Sequence, residues 1–344
     1  MARTDDAHGN LSSTSDRPLK EPVSDASSSA LPAGKEQSNQ ELTIGPSFKT
    51  GRLSGLLLIT LAYLLACCAS VSSIQICSDQ PLLVQAAVAY TTASIVVFCF
   101  SYFLNNSSVY DAYWSVGPPL LLLFFAGSTN NMADTFNHPG RWLVVCVVFG
   151  WAIRLTLNWA RGFRSLSEED FRYVDLKRKT GPLYWLVSLT GIHLFPSILT
   201  FAGSLPFLSL FTDPQVEQEY LILIYLGGLI ALCAVFIEGI ADHQLHRFRE
   251  SQPPQGSVYS EGLWRYSRHP NYFGEMLFWW GLALAGYGAN PEFMIQGIGA
   301  LSITSLFVFI SLPMIDQRML STRPHYAERM KRVSALIPLP NRQG

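Results

Sequence analysis

The segment LWRYSRHPNYFGEMLFWWGLALAGYGA, from Leu263 to Ala289, decides the fold of this chain. It opens with basic and aromatic residues and continues as an apolar run over 272–289. Basic and aromatic residues placed directly before such a run are typical of the end of a membrane-spanning helix. The segment therefore predicts a helix that enters the bilayer from a positively charged side.

The rest of the chain repeats this pattern. Its 344 residues are 49% apolar and only 14% charged, which is too apolar for a soluble core of this length. Most of its apolar runs reach the roughly 20 residues that cross a bilayer core. We count eight runs, at about 53–76, 82–104, 113–128, 141–160, 183–204, 220–240, 272–289 and 293–313. The sequence predicts an all-α, polytopic transmembrane helical bundle of about eight spans.

The third run differs from the others because it is short and Pro118-Pro119 interrupts it. It can be tilted, re-entrant or shielded by its neighbours. Residues 1–50 are rich in Ser, Asp, Glu and Gln and hold few large apolar side chains, so we expect a disordered cytoplasmic tail. Residues 51–104 then form N-terminal transmembrane helices.

Positive charge is concentrated on one side of the predicted bundle. Of the 24 Lys and Arg residues, 22 lie in 1–52, 161–181, 242–270 and 314–344. Cytoplasmic segments are enriched in Lys and Arg, so this distribution predicts an even number of spans with both termini cytoplasmic.

The net charge of −1 gives no reason to expect a nucleic-acid partner. The six cysteines lie in or beside apolar runs without CxxC spacing, so we expect no metal site.

The basic segment also carries polar residues that enter the seventh run. Asn271 and Glu275 are four apart and share one helical face, while Pro270 suits a first helical position. Arg268 and His269 precede that helix, where unpaired N–H groups and the helix dipole favour an anion. Arg, His, Trp and Tyr also anchor the ends of spans at the headgroup level. That role does not require polar side chains at Asn271 and Glu275.

Two further polar stripes recur at helical spacing. They are Glu238, Asp242, His246 and Arg249 at the end of the sixth run, and Arg154, Asn158 and Arg161 in the fourth. Ionisable groups inside a span are costly and require a partner or a water-filled cavity. We therefore expect Arg154 to pair with Glu238 or Glu275 across the bundle. The polybasic C-terminal segment either binds anionic lipid or folds back to close a site.

His193 lies in the middle of the fifth run. A lone histidine there can relay protons, contact substrate or form a hydrogen bond with a neighbouring helix. We leave it outside the predicted site.

Five segments together resemble a known membrane family. They are RLTLNWARGF (154–163), EEDFRYVDLK (168–177), ADHQLHRFR (241–249), WRYSRHPNYFGE (264–275) and RMKRVSALIPLP (329–340). The family is the one grouped with the steroid 5α-reductase carboxyl-terminal domain, including its branch of unknown function, and the resemblance covers roughly residues 105–340. The RHPNY element is also similar to motifs of sterol C14 and C7 reductases and of isoprenylcysteine carboxyl methyltransferases.

The resemblance implies that residues 105–344 form a catalytic domain. Members of the reductase branch bind NADPH from the cytosolic side and reduce an activated C=C bond, of the enone or enoyl type, in a steroid, sterol or other lipid. An endoplasmic reticulum location is implied as well. The cofactor-binding residues expected on this basis, together with the basic and aromatic residues beside them, are Asn158, Arg161, Asp242, Arg249, Arg268, His269, Asn271, Glu275, Arg318 and Tyr326.

The steroid enzymes also use a Glu and a Tyr from early helices to polarise the substrate carbonyl. This chain has no clear equivalent of that Glu, and the nearest candidates are Tyr113 and Asp111, which can also be an ordinary interfacial cluster. Two other functions stay open: an S-adenosylmethionine-dependent methyltransferase acting on a lipid or prenylcysteine, and a non-catalytic lipid-binding membrane protein. The several arginines favour NADPH binding over either alternative, because guanidinium groups bind phosphates well.

Overall fold

The computed structural model describes residues 51–128, 138–212 and 220–341, and these form helices joined by short connections. The predicted disordered tail, 1–50, lies outside the described residues. The α-helices are α1 (Arg52–Ile76), α2 (Leu82–Phe103), α3 (Tyr113–Gly127), α4 (Pro139–Gly162), α5 (Phe171–Thr180), α6 (Tyr184–Val187), α7 (Phe195–Gly203), α8 (Leu205–Thr212), α9 (Leu221–Glu250), α10 (Pro270–Ala289), α11 (Ile298–Leu306), α12 (Leu312–Thr322) and α13 (Tyr326–Arg332).

Six helical segments of the described chain are long and apolar enough to cross a membrane. They are Arg52–Ile76, Leu82–Phe103, Pro139–Gly162, Phe171–Thr212, Leu221–Glu250 and Ile295–Thr322. The prediction of a multi-pass helical membrane protein is thereby confirmed at the level of fold class, while the count of eight is not.

The two remaining predicted spans are α3 and α10. Helix α3 has only 15 residues and contains Pro118 and Pro119, both buried. Helix α10 has 20 residues, carries Asn271 and Glu275, and is not one of the six. Thirteen of its residues are buried, so it is covered mainly by protein.

Helices α9 and α10 pack unusually closely, and glycine makes this packing possible. A Cβ at Gly227 on α9 or at Gly281 on α10 would collide with the backbone of the other helix. A Cβ at Gly274 would lie 2.8 Å from the Cβ of Glu238. This close contact holds the polar stripe of α9 against the start of α10.

The fifth run contains a π-helical stretch, Ser188–Leu194, which includes His193. His193 is fully buried; its Nε2 lies 2.9 Å from the Ser101 hydroxyl on α2, and its Nδ1 lies 2.9 Å from the Ser188 carbonyl. Of the alternatives open from the sequence, the hydrogen bond to a neighbouring helix is the one observed.

Candidate functional site

The deepest part of the site is an ion cluster between α4 and α9. The Arg154 guanidinium contacts the carboxylates of Glu238 at 2.5 Å and Asp242 at 2.9 Å. Glu238 is only 4% exposed, and a buried carboxylate without a cation beside it would be costly. The Arg154 guanidinium supplies that cation. The predicted pairing of Arg154 with Glu238 is confirmed.

Asp242 on α9 forms hydrogen bonds with residues of two other helices, α4 and α10. It accepts hydrogen bonds from the side-chain amides of Asn158 on α4, at 3.1 Å, and of Asn271 on α10, at 3.3 Å. Arg154 and Asn158 of α4 contact one oxygen of the carboxylate, and Asn271 of α10 contacts the other. Residues that are far apart in the chain therefore meet at one carboxylate.

Glu275 lies beside this cluster and is 2% exposed. Its two carboxylate oxygens accept hydrogen bonds from the indole N–H groups of Trp151, at 2.9 Å, and Trp279, at 2.8 Å. The two tryptophans hold Glu275 in a fixed orientation. The polar residues that the sequence places inside spans thus do face one another.

A second cluster lies where α10 begins, and Asp316 of α12 is its centre. Asp316 contacts the Arg268 guanidinium at 3.0 Å and His269 Nε2 at 3.0 Å, and it accepts a 2.5 Å hydrogen bond from the Tyr326 hydroxyl. Helix α10 starts at Pro270, as predicted, with His269 immediately before it. Asp316 is absent from the predicted site residues, although it holds three of the residues around it.

The C-terminal segment folds back onto this cluster. The Arg268 N–H donates to the Ser334 carbonyl at 2.9 Å, the Ser267 hydroxyl to the Leu336 carbonyl at 2.6 Å, and the Leu339 N–H to the Tyr266 carbonyl at 3.1 Å. The segment therefore folds back onto the residues that precede α10, as the second of the two alternatives for it predicts.

These two clusters border a cavity of about 210 Å³, which we call the Arg cavity. The described residues that line it include four arginines, Arg249, Arg268, Arg323 and Arg329, and no acidic residue. The aromatic residues of its lining include Tyr259, Trp264, Tyr272 and Tyr326.

Positive charge in the Arg cavity lacks full compensation. The Nε and Nη1 atoms of Arg268 are buried and have no hydrogen-bond partner among the described residues. Burial, together with the nearby positive charge of Arg268, lowers the pKa of the Arg329 guanidinium. An anion in the cavity would supply the acceptors that these Arg268 atoms lack.

A separate cleft of about 50 Å³ lies between α4 and α9. Arg154, Asn158, Arg161 and Asp242 line it, and we call it the interhelical cleft. Asn271 lines the Arg cavity and is bonded to Asp242, so this hydrogen bond links the two spaces.

The predicted cofactor residues fall into three groups. Arg249, Arg268, His269, Asn271 and Tyr326 line the Arg cavity; Asn158, Arg161 and Asp242 line the cleft; Glu275 and Arg318 line neither. The exposed Arg318 guanidinium lies 3.5 Å from the centre of the Phe171 ring. Arg323 and Arg329 line the cavity but were not predicted, because nothing in their spacing distinguishes them from other basic residues of the C-terminal segment.

The predicted catalytic residues Tyr113 and Asp111 lie outside both spaces. Asp111 accepts a 2.6 Å hydrogen bond from Tyr173, and burial raises the pKa of its carboxyl to about 6 despite that bond. The Tyr113 hydroxyl lies 3.5 Å from the Tyr90 carbonyl rather than against Asp111. Next to Tyr113, the Trp114 ring lies 6.5 Å from the ring of Trp151.

The described residues contain no group of three or more His, Cys, Asp or Glu side chains placed to hold a metal ion.

One family model, described as a protein of unknown function (DUF1295), matches residues 97–333, which is more than half of the chain and includes every predicted site residue. No curated protein and no solved structure matches the chain.

Proposed function

We propose that this chain, which belongs to a family of unknown function, DUF1295, is an NADPH-dependent membrane oxidoreductase that reduces an activated C=C bond, of the enone or enoyl type, in a steroid, sterol or other lipid. The observation that carries the proposal concerns Arg268, which lines the Arg cavity. Its Nη2 atom is paired with Asp316, but its Nε and Nη1 atoms are buried without a hydrogen-bond partner among the described residues. Buried N–H groups without acceptors are costly, and a phosphate would supply the missing acceptors.

The residues present fit the anionic part of a dinucleotide. Arginine forks suit phosphate oxygens, and Tyr259 and Trp264 offer aromatic surfaces beside them. The Arg cavity and the interhelical cleft, at about 210 and 50 Å³, are each small for a whole dinucleotide. We infer that binding separates Asn271 from Asp242 and joins the two spaces.

NADPH would supply the hydride for the reduction. Arg249, Arg268, Arg323 and Arg329 would bind its phosphates, and the amides of Asn158 and Asn271 would orient the end that reaches the cleft. The proton donor proposed here is Tyr113, with Asp111 nearby. Helices α3 and α10 would complete eight spans, with both termini cytoplasmic and the protein in the endoplasmic reticulum.

The main competing cofactor is S-adenosylmethionine. It carries a positive sulfonium and a single carboxylate, so a cavity with four arginines and no acidic residue matches it poorly. The non-catalytic alternative predicts no response to either cofactor.

Thermal stability of the detergent-purified protein in NADPH, NADH and S-adenosylmethionine separates these functions. A ligand at a hundredfold excess over its Kd stabilises the folded state by about 2.7 kcal/mol. We expect NADPH to raise the Tm, NADH to raise it less, and S-adenosylmethionine to leave it unchanged. Stabilisation by S-adenosylmethionine alone would favour the methyltransferase, and stabilisation by none would favour the binding protein.

Three variants locate the response. Arg323→Gln removes a cavity cation and should weaken the NADPH shift, whereas Arg265→Gln removes an exposed cation outside the cavity and should leave it intact. The double variant Asn271→Ala, Glu275→Ala should lose the shift. If the double variant keeps it, the site lies elsewhere.

A further inference from the structure

A polar cavity of about 510 Å³ lies beside the Arg cavity. It is formed by the last two turns of α9 and the connection that follows them, and its lining includes His243, Gln244, Arg247, Ser251, Ser260 and Glu261. We call it the polar cavity. It shares Phe248, Val258 and Tyr259 with the Arg cavity, but none of the four arginines of that cavity.

The outer face of α9 leads from lipid-exposed side chains to the polar cavity. Phe236 and Ile240 are 62% and 49% exposed, and the exposed residues His243 and Arg247 continue the same helical face at spacings of three and four. A helix rises 1.5 Å per residue, so Arg247 lies about 10 Å beyond Ile240 along the axis. The headgroup region on each side of a bilayer is about 5–7 Å thick. This row of side chains therefore runs from the acyl chains into the headgroups.

Helix α4 carries a similar row beside it. Ile153 and Leu157 are 57% and 51% exposed, and Arg161, four residues later, is exposed as well. Arg161 and His243 both line the interhelical cleft, and His243 also lines the polar cavity. The cleft and the polar cavity therefore meet at His243, between the two rows. We call the surface formed by the two rows the outer groove.

The basic side chains at the ends of the two rows are not used to hold the fold. Within the described ranges, the side chains of Arg161, His243 and Arg247 form no hydrogen bond and no ion pair. By contrast, Arg154, which also lines the cleft, is paired with two carboxylates. Free cations at the headgroup level are available to an anion of the membrane surface.

The chemistry of the polar cavity limits which headgroup fits. Its lining offers the hydroxyls of Ser251 and Ser260, the amide of Gln244 and the carboxylate of Glu261. A carboxylate accepts hydrogen bonds from hydroxyl groups but repels a phosphate. The cavity is therefore suited to a neutral polyol attached to the anion rather than to a second phosphate, and about 510 Å³ is enough for a six-membered ring.

We propose that the outer groove and the polar cavity bind a glycerophospholipid whose phosphodiester carries a polyhydroxylated ring. The acyl chains lie along the two exposed rows, and the phosphodiester contacts Arg161, His243 and Arg247. The ring occupies the polar cavity, where its hydroxyls donate to Glu261. This inference goes beyond the proposed function, because the lipid is bound and not reduced, and because it uses none of the arginines to which the proposed function assigns the phosphates of NADPH.

Native mass spectrometry of the full-length protein in detergent tests the proposal. The protein is titrated with phosphatidylinositol, phosphatidylglycerol and phosphatidylcholine that have identical acyl chains, and the bound lipids are counted. We expect one molecule of phosphatidylinositol to bind about tenfold more tightly than phosphatidylglycerol, which has the same charge and no ring. Phosphatidylcholine should bind more weakly than either, because its headgroup has no net charge.

A soluble competitor distinguishes a membrane lipid from a soluble ligand with the same headgroup. Glycerophosphoinositol has the phosphodiester and the ring but no acyl chains. If the exposed rows of α4 and α9 hold the chains, an equal concentration of this compound should not displace phosphatidylinositol. Displacement at equal concentration would show that the ligand is a soluble polyol phosphate and would overturn the assignment to a lipid.

One pair of variants tests the contact with the phosphodiester. Arg247→Gln should weaken the binding of phosphatidylinositol and phosphatidylglycerol alike, by about tenfold, because it removes a charged donor. Arg247→Lys keeps the charge and should retain most of the binding. Arg332→Gln, at an exposed cation outside both cavities and the cleft, should have no effect.

A second pair of variants tests the contact with the ring. Glu261→Gln should reduce the preference for phosphatidylinositol over phosphatidylglycerol to less than about threefold, since it weakens acceptance of the ring hydroxyls. Glu328→Gln, at an exposed glutamate outside the linings, removes the same charge and should keep the preference. All these positions are exposed, so the variants should fold as the parent does.

Three results would overturn the proposal. They are equal binding of phosphatidylinositol and phosphatidylglycerol by the parent, several equivalent lipids bound without saturation, and a preference for phosphatidylinositol that survives in Glu261→Gln. The thermal shift by NADPH, measured on the same preparation, reports separately on the proposed function. Failure of one is therefore distinguishable from failure of the other.

Discussion

The side-chain amide of Asn271 on α10 donates a 3.3 Å hydrogen bond to the Asp242 carboxylate on α9, so a residue lining the Arg cavity is bonded to one lining the interhelical cleft. The bond exists because glycines bring α9 and α10 together at this level. Its length leaves it weak enough to open when a ligand enters. Under the proposed function, this contact opens when the dinucleotide binds.

Substitutions at Asn271 should reveal how closely this residue faces Asp242. Asn271→Ala loses one hydrogen bond and should cost about 1 kcal/mol, whereas Asn271→Asp opposes two carboxylates and should cost more. Thermal unfolding in detergent measures both variants. Gln317→Ala and Gln317→Glu, at an exposed position on α12, provide the matched pair and should differ little. Equal stability of the two Asn271 variants would contradict the observed contact.

Removal of Arg154 should be strongly destabilising. Arg154→Met leaves Glu238 and Asp242 without their cation, and loss of one partner from a buried ion pair costs about 3–5 kcal/mol. Arg161→Met, at an exposed residue of the same helix, should change stability by less than about 0.5 kcal/mol. Chemical unfolding of the two variants gives the comparison.

A compensating change tests the cause. Adding Glu238→Gln to Arg154→Met removes one of the unpaired charges and should restore part of the lost stability. If the double variant is as unstable as the sum of the single variants, the loss is due to packing and not to charge.

The Tyr326 hydroxyl should control how tightly the C-terminal segment is held. Tyr326→Phe removes the 2.5 Å hydrogen bond to Asp316, so residues 334–339 should separate more often from 266–268. Limited proteolysis would then cut this segment faster than in the parent. Tyr266→Phe, which alters an exposed ring and keeps the backbone carbonyl, should leave the cleavage rate unchanged.

The deep part of the site was predictable from the sequence because membrane burial and helical spacing act together. Polar residues three or four apart on an apolar helix must face inward, and this reasoning placed Arg154 against Glu238. It also gave Asn271 and Glu275 one face, although it could not assign Glu275 to Trp151, which lies 124 residues earlier. Spacing defines a helical face but not the residue that the face meets.

The cytoplasmic part of the site was less predictable because tertiary contacts determine it. Asp316 meets His269 across 47 residues of sequence, and no local pattern distinguishes it from an ordinary residue of a helix end. Arg318 is only two positions further along the helix, and therefore points elsewhere, towards Phe171. The apolar run 272–289 correctly predicted the helix α10. The burial of α10 by neighbouring helices, however, depends on glycine contacts with α9.

Asp111 should give the folded protein a pH-dependent stability with a defined sign. Burial raises the pKa of its carboxyl from the ordinary 3.8 to about 6, so between these values the unfolded chain releases a proton that the folded protein retains. Stability is therefore highest below the lower value, falls as pH rises towards 6, and loses at most about 3 kcal/mol above it. Asp111→Asn removes this titration and keeps an oxygen that can accept from Tyr173. We expect the stability difference between variant and parent to grow in favour of the variant from pH 4 to 6 in thermal unfolding, while Asp79→Asn, at an exposed aspartate, follows the parent. A difference that stays constant over this range would show that the Asp111 carboxyl does not carry the effect.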